Sequence, residues 1–324
     1  MTRIIQMSAP GGPEVLQLAE VDLPEPGPGE LRLRQTAIGV NYHDVYVRSG
    51  LYQTLPLPGV PGIEAVGVVE QVGAGVTHVA VGDRIGYITG QYGCYAAARN
   101  LDAALAVRLP EQISDVQAAA TLMKAFTVAM LVHRVHRVEA GQTVLVHAAA
   151  GGVGQLLCGW ARSLGATVIG TVGSAEKAAI ARAHGADHVI LYREEDVAAR
   201  VAEITGGAGV AAAYDAVGAD TFAGSVAALG FEGHLVAYGQ ASGPVPPFGM
   251  ALLASRSLTV SRPIVFHYLR TPEKLAEIGA LVSDALARGV IRPIEPIVLP
   301  LDQAAEAHRI LEARQSPGGI VLVP

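Results

Sequence analysis

Three features of this 324-residue chain predict an α/β fold in which a doubly wound parallel sheet is joined to a compact β-rich domain. The first is TVLVHAAAGGVGQ at residues 143–155. Its opening is an apolar, β-branched run of the kind that forms a buried parallel strand. A turn of small residues follows, and then a helical pattern, QLLCGWARSLGA. The second feature is the strand–helix alternation that continues to about residue 261, the signature of a doubly wound sheet. The third is the different texture of the first 120 residues, rich in Pro, Gly and short alternating runs.

The β-rich part begins with LRLRQTAIGV (31–40), whose alternation at its start reads as a half-buried strand. VDLPEPGPGE before it is loop material. VGVVEQVGAGV and VGDRIGYI read as short strands joined by glycine turns. VQAAATLMKAFTVAMLVHRV (116–135) is a helical pattern leading into the glycine-rich unit. Beyond that unit, ATVIGTV (166–172), HVILY (188–192), VAAAYDAVG (210–218), HLVAYG (234–239) and SLTVS (257–261) read as further parallel strands, with helices between them. AEKAAIARAHGA is such a helix, closed by Gly185, and EEDVAARVAEIT carries Val197, Val201 and Ile204 at helical spacing behind an acidic first turn. The last 60 residues hold a helix (272–288) and two short strands, including GGIVLVP, expected to return to the N-terminal domain. The expected domains are therefore 1–124, completed by 265–324, and 125–264.

A glycine turn between a strand and a helix N-terminus is the context of dinucleotide binding. The glycines let backbone approach a pyrophosphate, and the helix end offers N–H groups and positive dipole. Ala149 stands at the first position of GxGxxG, leaving Gly151 and Gly154 in register. An NAD site usually places a carboxylate at the end of the next strand, on the ribose 2′-hydroxyl. Here that place reads Thr171-Val172-Gly173-Ser174, followed by Lys177, and Tyr192 ends the third strand. A small loop, a hydroxyl, a cation and a phenol suit a 2′-phosphate, so NADPH is the expected cofactor.

The net charge of −6, with 16% charged residues, offers no overall basic field for nucleic acid. The mean hydropathy is +0.37, but no apolar run approaches the ~20 residues of a membrane helix. MTRIIQMSAPGG has no secretory apolar core, and only Cys94 and Cys158 are present, so a reducing cytoplasm and no disulfide framework are expected.

APGGPEVL (9–16), AIGVNYHDVYVRSGLY (37–52), PGIEAVGVV (61–69), LMKAFTV (122–128), HAAAGGVG (147–154), GTVGSAEK (170–177) and YDAVG (214–218) together resemble the zinc-free, zeta-crystallin-like quinone oxidoreductases of the medium-chain dehydrogenase/reductase superfamily. The resemblance spans nearly the whole chain. It implies a GroES-like catalytic domain, a Rossmann cofactor domain, a cleft between them, NADPH as donor, a quinone as acceptor and a homodimer. By position it implies that Asn41, Tyr46 and Tyr52 serve the acceptor and that Asn41 and Thr127 also contact the cofactor. Gly151, Gly152 and Val153 would hold the pyrophosphate, Ser174, Lys177 and Tyr192 the 2′-phosphate, and Val217 would line the cofactor. Tyr52 and Lys124 would face the cleft. His43 and Phe126 depart from the family's usual apolar residue and leucine. Asp44 and Arg48 read as helix surface or an ion pair.

Zinc-dependent relatives carry ligands where this chain has Asn41, Ile63 and about Met123, none of which suits zinc. No metal is expected. His133 and His136, three apart in HRVHR, read as a solvated basic helix end. Reduction of α,β-unsaturated carbonyls is the alternative activity. An alcohol dehydrogenase is disfavoured by the missing ligands, and a cofactor-binding structural or RNA-binding role stands as the reading from a different class.

Overall fold

In the computed structural model, which describes residues 1–313, 315–316 and 318–324, the chain runs through fifteen strands and ten helices. It begins with β1 (Thr2–Gln6), β2 (Gln17–Val21), β3 (Glu30–Val40), α1 (Tyr42–Arg48), β4 (Glu64–Val72), β5 (Arg84–Ile88), β6 (Ala98–Asp102), β7 (Val107–Arg108) and α2 (Asp115–Met130). The middle comprises β8 (Thr143–Val146), α3 (Gly152–Ser163), β9 (Thr167–Val172), α4 (Ala175–Ala183), β10 (His188–Leu191), α5 (Val197–Ile204), β11 (Val210–Asp215), α6 (Phe222–Ala228) and β12 (Leu229–Ala237). It closes with α7 (Ala251–Ala254), β13 (Thr259–Ser261), α8 (Val265–Tyr268), α9 (Pro272–Ala287), β14 (Ile297–Pro300), α10 (Ala304–Glu312) and β15 (Ile320–Val323).

These elements fall into two compact units. One is Met1–Met123 with Thr271–Gly279 and Pro293–Pro324; the other is Lys124–Arg270 with Ala280–Arg292. The sequence places Lys124, 265–270 and 280–292 in the first unit. The structure groups them with the second, where the Val290 carbonyl lies 3.2 Å from where a Cβ on Gly159 of α3 would stand.

The first unit is built on a seven-stranded sheet in the order β14-β15-β3-β4-β5-β7, with β6 also paired to β3. All its pairs are antiparallel except β14 with β15. β3 is the hub because it is the longest strand and changes character along its length. Leu31, Leu33 and Gln35 are buried between more exposed neighbours, and from Ala37 to Val40 every residue is buried. Register shifts at Arg32/Leu33 and Gln35/Ala37 bend it. The core collects Leu31, Leu33, Ile38, Ile85, Tyr87 and Leu322. β3 runs into Asn41, which starts α1, so the most buried strand end positions the first candidate site residue.

The second unit holds a six-stranded, wholly parallel sheet in the order β10-β9-β8-β11-β12-β13. The expected strands all form. Their buried runs explain why: β9 is buried from Val168 to Val172, and β8 from Val144 to Val146. The chain leaves β8 toward β9 on one side and later returns to β11 on the other. The β8/β11 junction is therefore the switch point at which open α/β sheets bind ligands. The helical run Asp115–Val135 is long and apolar enough to cross a membrane, contrary to the sequence reading, but 78% of its most apolar window is buried inside the protein. Length and hydropathy alone do not separate such a core helix from a membrane span.

Two histidines are held neutral. Burial, reinforced by Arg48, pushes His308 on α10 down to about 3. Burial and the neighbouring His136 push His234 on β12 down to about 4. In the unfolded chain both take up a proton near the ordinary value of 6.5. Below that pH the unfolded state binds more protons than the fold, so stability falls with acid. Chemical denaturation at about pH 5 and about pH 7 should show this loss, and His308→Gln should reduce it.

Candidate functional site

The candidate cofactor half lies at the carboxyl ends of β8, β9 and β11. After β8 the backbone passes through Ala148 at φ +51°, a left-handed conformation rare for a residue with a side chain. The Gly151 amide then closes the turn on the Ala148 carbonyl at 2.8 Å. Gly154 follows, where a Cβ would stand 2.2 Å from that same carbonyl oxygen and 2.8 Å from the Ala149 Cα. This contact is why the position must be glycine. Ala149, the departure from GxGxxG, is accommodated from the other side. Its methyl lies 2.7 Å from where Gly170 of β9 would carry a Cβ, so the glycine has moved to the facing strand.

The turn delivers the N-terminus of α3 with Gly151 as its cap and no side chain on its free N–H groups. Gly151, Gly152 and Val153 are half-exposed there. An uncapped, accessible helix N-terminus behind a close-packed glycine turn fits a pyrophosphate.

After β9, Ser174 caps α4 and accepts from the Lys177 amide at 3.3 Å. Tyr192 is 40% exposed, and its hydroxyl lies 2.7 Å from where a Cβ on Gly173 would stand. Arg193, which the sequence reading did not single out, brings its Nε to 3.3 Å from the same point. Tyr192 and Arg193 thus meet at Gly173, beside the Ser174 cap that holds the Lys177 amide, with no carboxylate on residues 171–174. After β11, Val217 is half-exposed in a loop whose Val217 and Gly218 amides donate to Asp215 Oδ1 at 2.8 and 3.1 Å. Thr127 is half-exposed on α2, while Phe126 beside it is fully buried, so its extra bulk goes into packing.

The candidate acceptor residues of the first unit gather on and after α1. Tyr46 and Tyr52 have ring centroids 5.0 Å apart, and the Tyr52 amide donates to the Tyr46 carbonyl at 2.9 Å. Tyr42 stands 5.2 Å from Tyr46. His43 stands edge-on to Tyr52 at 5.3 Å, and its Nε2 is 3.2 Å from the Tyr92 hydroxyl, which also bonds Thr54. Burial holds the Tyr92 phenol above its ordinary range. His43 is therefore part of a polar aromatic cluster rather than a substitute for an apolar wall. Tyr92 and Thr54 were missed in the sequence because they reach the cluster from separate loops.

Beneath the cluster, two buried carboxylates fix α1. Glu64 accepts from Asn41 Nδ2 at 2.7 Å and from the Met123 amide at 2.8 Å. Asp44 accepts from the Asn41 amide at 2.8 Å and from the Tyr95 hydroxyl at 3.0 Å, and that hydroxyl also meets His308 Nε2 at 3.0 Å. Asp44 and Arg48 are thus not helix surface: they are 0% and 3% exposed. Arg48 pairs in a fork with Glu312, at 3.0 and 2.8 Å, and not with Asp44. No local pattern reveals a partner 264 residues away.

The side chains at the zinc positions of metal-dependent relatives do not fit zinc. Asn41 is an amide already bonded to Glu64, Ile63 is fully buried hydrocarbon, and Met123 presents a thioether. Among the described residues no group of three or more His, Cys, Asp or Glu is placed to hold a metal ion. His133 and His136 are not a solvated terminus. The His133 ring stands edge-on to Trp160 at 5.5 Å, and His136 to Tyr214 at 6.5 Å and His234 at 5.6 Å. Both cysteines are buried free thiols, Cys94 pushed up to about 11 and Cys158 to about 12 by burial, so neither is a nucleophile.

Residues 27–111 match the family model of the alcohol dehydrogenase GroES-like domain, and residues 152–283 that of the zinc-binding dehydrogenases. The chain is 44% identical to a quinone oxidoreductase of Pseudomonas aeruginosa over 100% of both chains. It is 42% identical to a 2-haloacrylate reductase of a Burkholderia species, covering 97% of this chain and 96% of that one. It superposes on the crystal structure of Escherichia coli quinone oxidoreductase complexed with NADPH with a TM-score of 0.96, at 42% identity and 100% coverage of both.

The glycine turn makes a direct prediction. Gly154→Ala forces a methyl into backbone, so thermal denaturation should show a loss of about 1–3 kcal/mol or more together with loss of nucleotide binding. Gly224→Ala in α6, where the new methyl meets nothing within 4 Å, is the control and should be neutral or stabilising.

Proposed function

The chain belongs to the quinone oxidoreductase family of the medium-chain dehydrogenase/reductase superfamily, and from that membership we propose that it reduces a quinone with NADPH. The observation that carries the donor half is the corner after β9, where Ser174, Lys177 and Tyr192 stand in place of a carboxylate. NADPH supplies the hydride that the acceptor takes up. Gly151, Gly152 and Val153 would hold its pyrophosphate, Ser174, Lys177 and Tyr192 its 2′-phosphate, and Val217 and Thr127 would line its remaining length. Asn41, Tyr46 and Tyr52 orient a planar carbonyl acceptor. A Tyr46 or Tyr52 hydroxyl, or water, returns the proton that the reduced oxygen needs.

The donor set at Asn41, Ile63 and Met123 assigns no step to zinc. A quinone needs little electrophilic activation, so orientation and water exclusion suffice. Reduction of an α,β-unsaturated carbonyl is the second reading, favoured by the likeness to a 2-haloacrylate reductase. A homodimer paired along β13, one of the two edge strands of the parallel sheet, would cover that edge. A reducing cytoplasm suits the two unpaired thiols.

Steady-state NADPH oxidation with a panel of quinones and enones tests the acceptor. Turnover with quinones is expected, and Tyr46→Phe and Tyr52→Phe should change acceptor kinetics more than NADPH binding. Turnover with enones alone establishes the second reading, and none with either class refutes both. Lys177→Ala tests the donor. A charge-assisted contact is worth about ten- to a hundredfold in affinity, so the Kd for NADPH should rise by that factor and that for NADH should stay. Equal affinity of the parent protein for the two nucleotides would contradict the 2′-phosphate assignment.

A further inference from the structure

Four buried polar side chains run beneath the candidate cofactor site and take no part in the reaction proposed above. His147, at the end of β8 just before the glycine turn, is 2% exposed; Thr171, at the end of β9, is 1% exposed. Asp215, the last residue of β11, is 1% exposed, and Ser225 on α6 is fully buried. Thr171 Oγ1 lies 3.0 Å from His147 Nδ1, His147 Nε2 lies 2.9 Å from Ser225 Oγ, and Ser225 Oγ donates to Asp215 Oδ2 at 2.8 Å.

The proton directions follow from the end of the chain. A carboxylate only accepts, so the one Ser225 proton goes to Asp215. His147 must then donate to Ser225 from Nε2, which leaves Nδ1 to accept from Thr171. The imidazole is thereby fixed as the neutral Nε2–H tautomer, consistent with burial holding it below its ordinary value. Asp215 completes its shell with the Val217 and Gly218 amides and with Thr221 Oγ1, at 2.8 Å from Oδ1 and 2.7 Å from Oδ2. Each donor is matched to an acceptor along the whole chain, which makes it a rigid unit.

β9, β8 and β11 are neighbours in the sheet, so this chain ties three adjacent strand ends together. The segments that follow those ends are the three that face the cofactor: residues 173–174, the turn 148–154, and the loop at Val217. We infer that Thr171, His147, Ser225 and Asp215 are a positioning unit that holds these three segments in register and so sets affinity for the nucleotide. The inference rests on the proposed NADPH site. It adds that the site's geometry is fixed by a side-chain relay below the sheet ends, in addition to the glycines.

The test is fluorescence titration of the purified chain with NADPH and with NADH, for the parent, Thr171→Val, Thr171→Ser and Ser225→Ala. Loss of one relay hydrogen bond should raise both Kd values by the same factor, about fivefold, because the shared part of the two nucleotides is affected. Thr171→Ser keeps the hydroxyl and should bind as the parent does. Thr171→Val with Ser225→Ala should lose less than the product of the single effects, since either one opens the same chain. Unchanged Kd values beside a lowered unfolding temperature would make the relay a stability element only and overturn the inference. If Ser225→Ala does not fold, the Thr171 pair decides alone: Val weaker than Ser supports the relay, and Val equal to Ser refutes it. A parent that binds neither nucleotide refutes the cofactor site itself, which is a different outcome.

Discussion

The contact on which the second unit depends is the approach of the Gly154 backbone to the Ala148 carbonyl. At 2.2 Å from a virtual Cβ, it leaves no room for any side chain. The approach forces Ala148 into left-handed backbone and presses Ala149 toward β9, where only a glycine, Gly170, gives it space. The same tight turn brings the first amides of α3 to the surface without a capping side chain. Strand order, turn and helix end are thus one constraint. A helix N-terminus has unsatisfied donors wherever it lies, but here the turn holds it at the sheet's switch point.

Buried carboxylates supply the complementary constraint. A carboxylate out of water is costly unless each oxygen finds donors. Glu64 takes an amide side chain and a backbone N–H, and Asp44 takes a backbone N–H and a phenol. Asp215 takes two backbone N–H groups and two hydroxyls. Each one fixes a segment that carries candidate site residues: Asn41 and α1 in the first unit, the Val217 loop in the second. Their chemistry is structural, yet their effect falls on the groups that would touch ligand.

The parallel sheet was legible because fully buried strands are written as unbroken apolar runs, and the helices between them as 3.6-residue patterns. VLV and VIGTV needed nothing beyond local sequence. The α1 segment was not legible in the same way. Seven residues are too few for a periodicity to show which face is buried. Arg48 therefore looked solvated, although its carboxylate partner arrives on α10. His133 and His136 misled for the opposite reason. Flanking arginines gave the segment a solvated look, while Trp160 and Tyr214 cover the rings. The relay from Thr171 to Asp215 was hidden because each member sits inside an apolar run. Each counts there as an exception to a strand pattern, and only the fold adds the exceptions together.

The two candidate halves are built from different materials, and this bears on how the family varies its acceptors. The candidate donor half relies on backbone amides, glycines and a fully matched buried relay, in which loss of one hydroxyl leaves a partner unsatisfied. The candidate acceptor half is built on a short helix and on rings from loops, where Tyr42, His43, Tyr46, Tyr52 and Tyr92 meet by ring contacts. Tyr52 and Tyr92 come to it from loops, and loop positions tolerate exchange. Quinone and haloacrylate reductases at nearly the same distance from one chain are what that division of materials would produce.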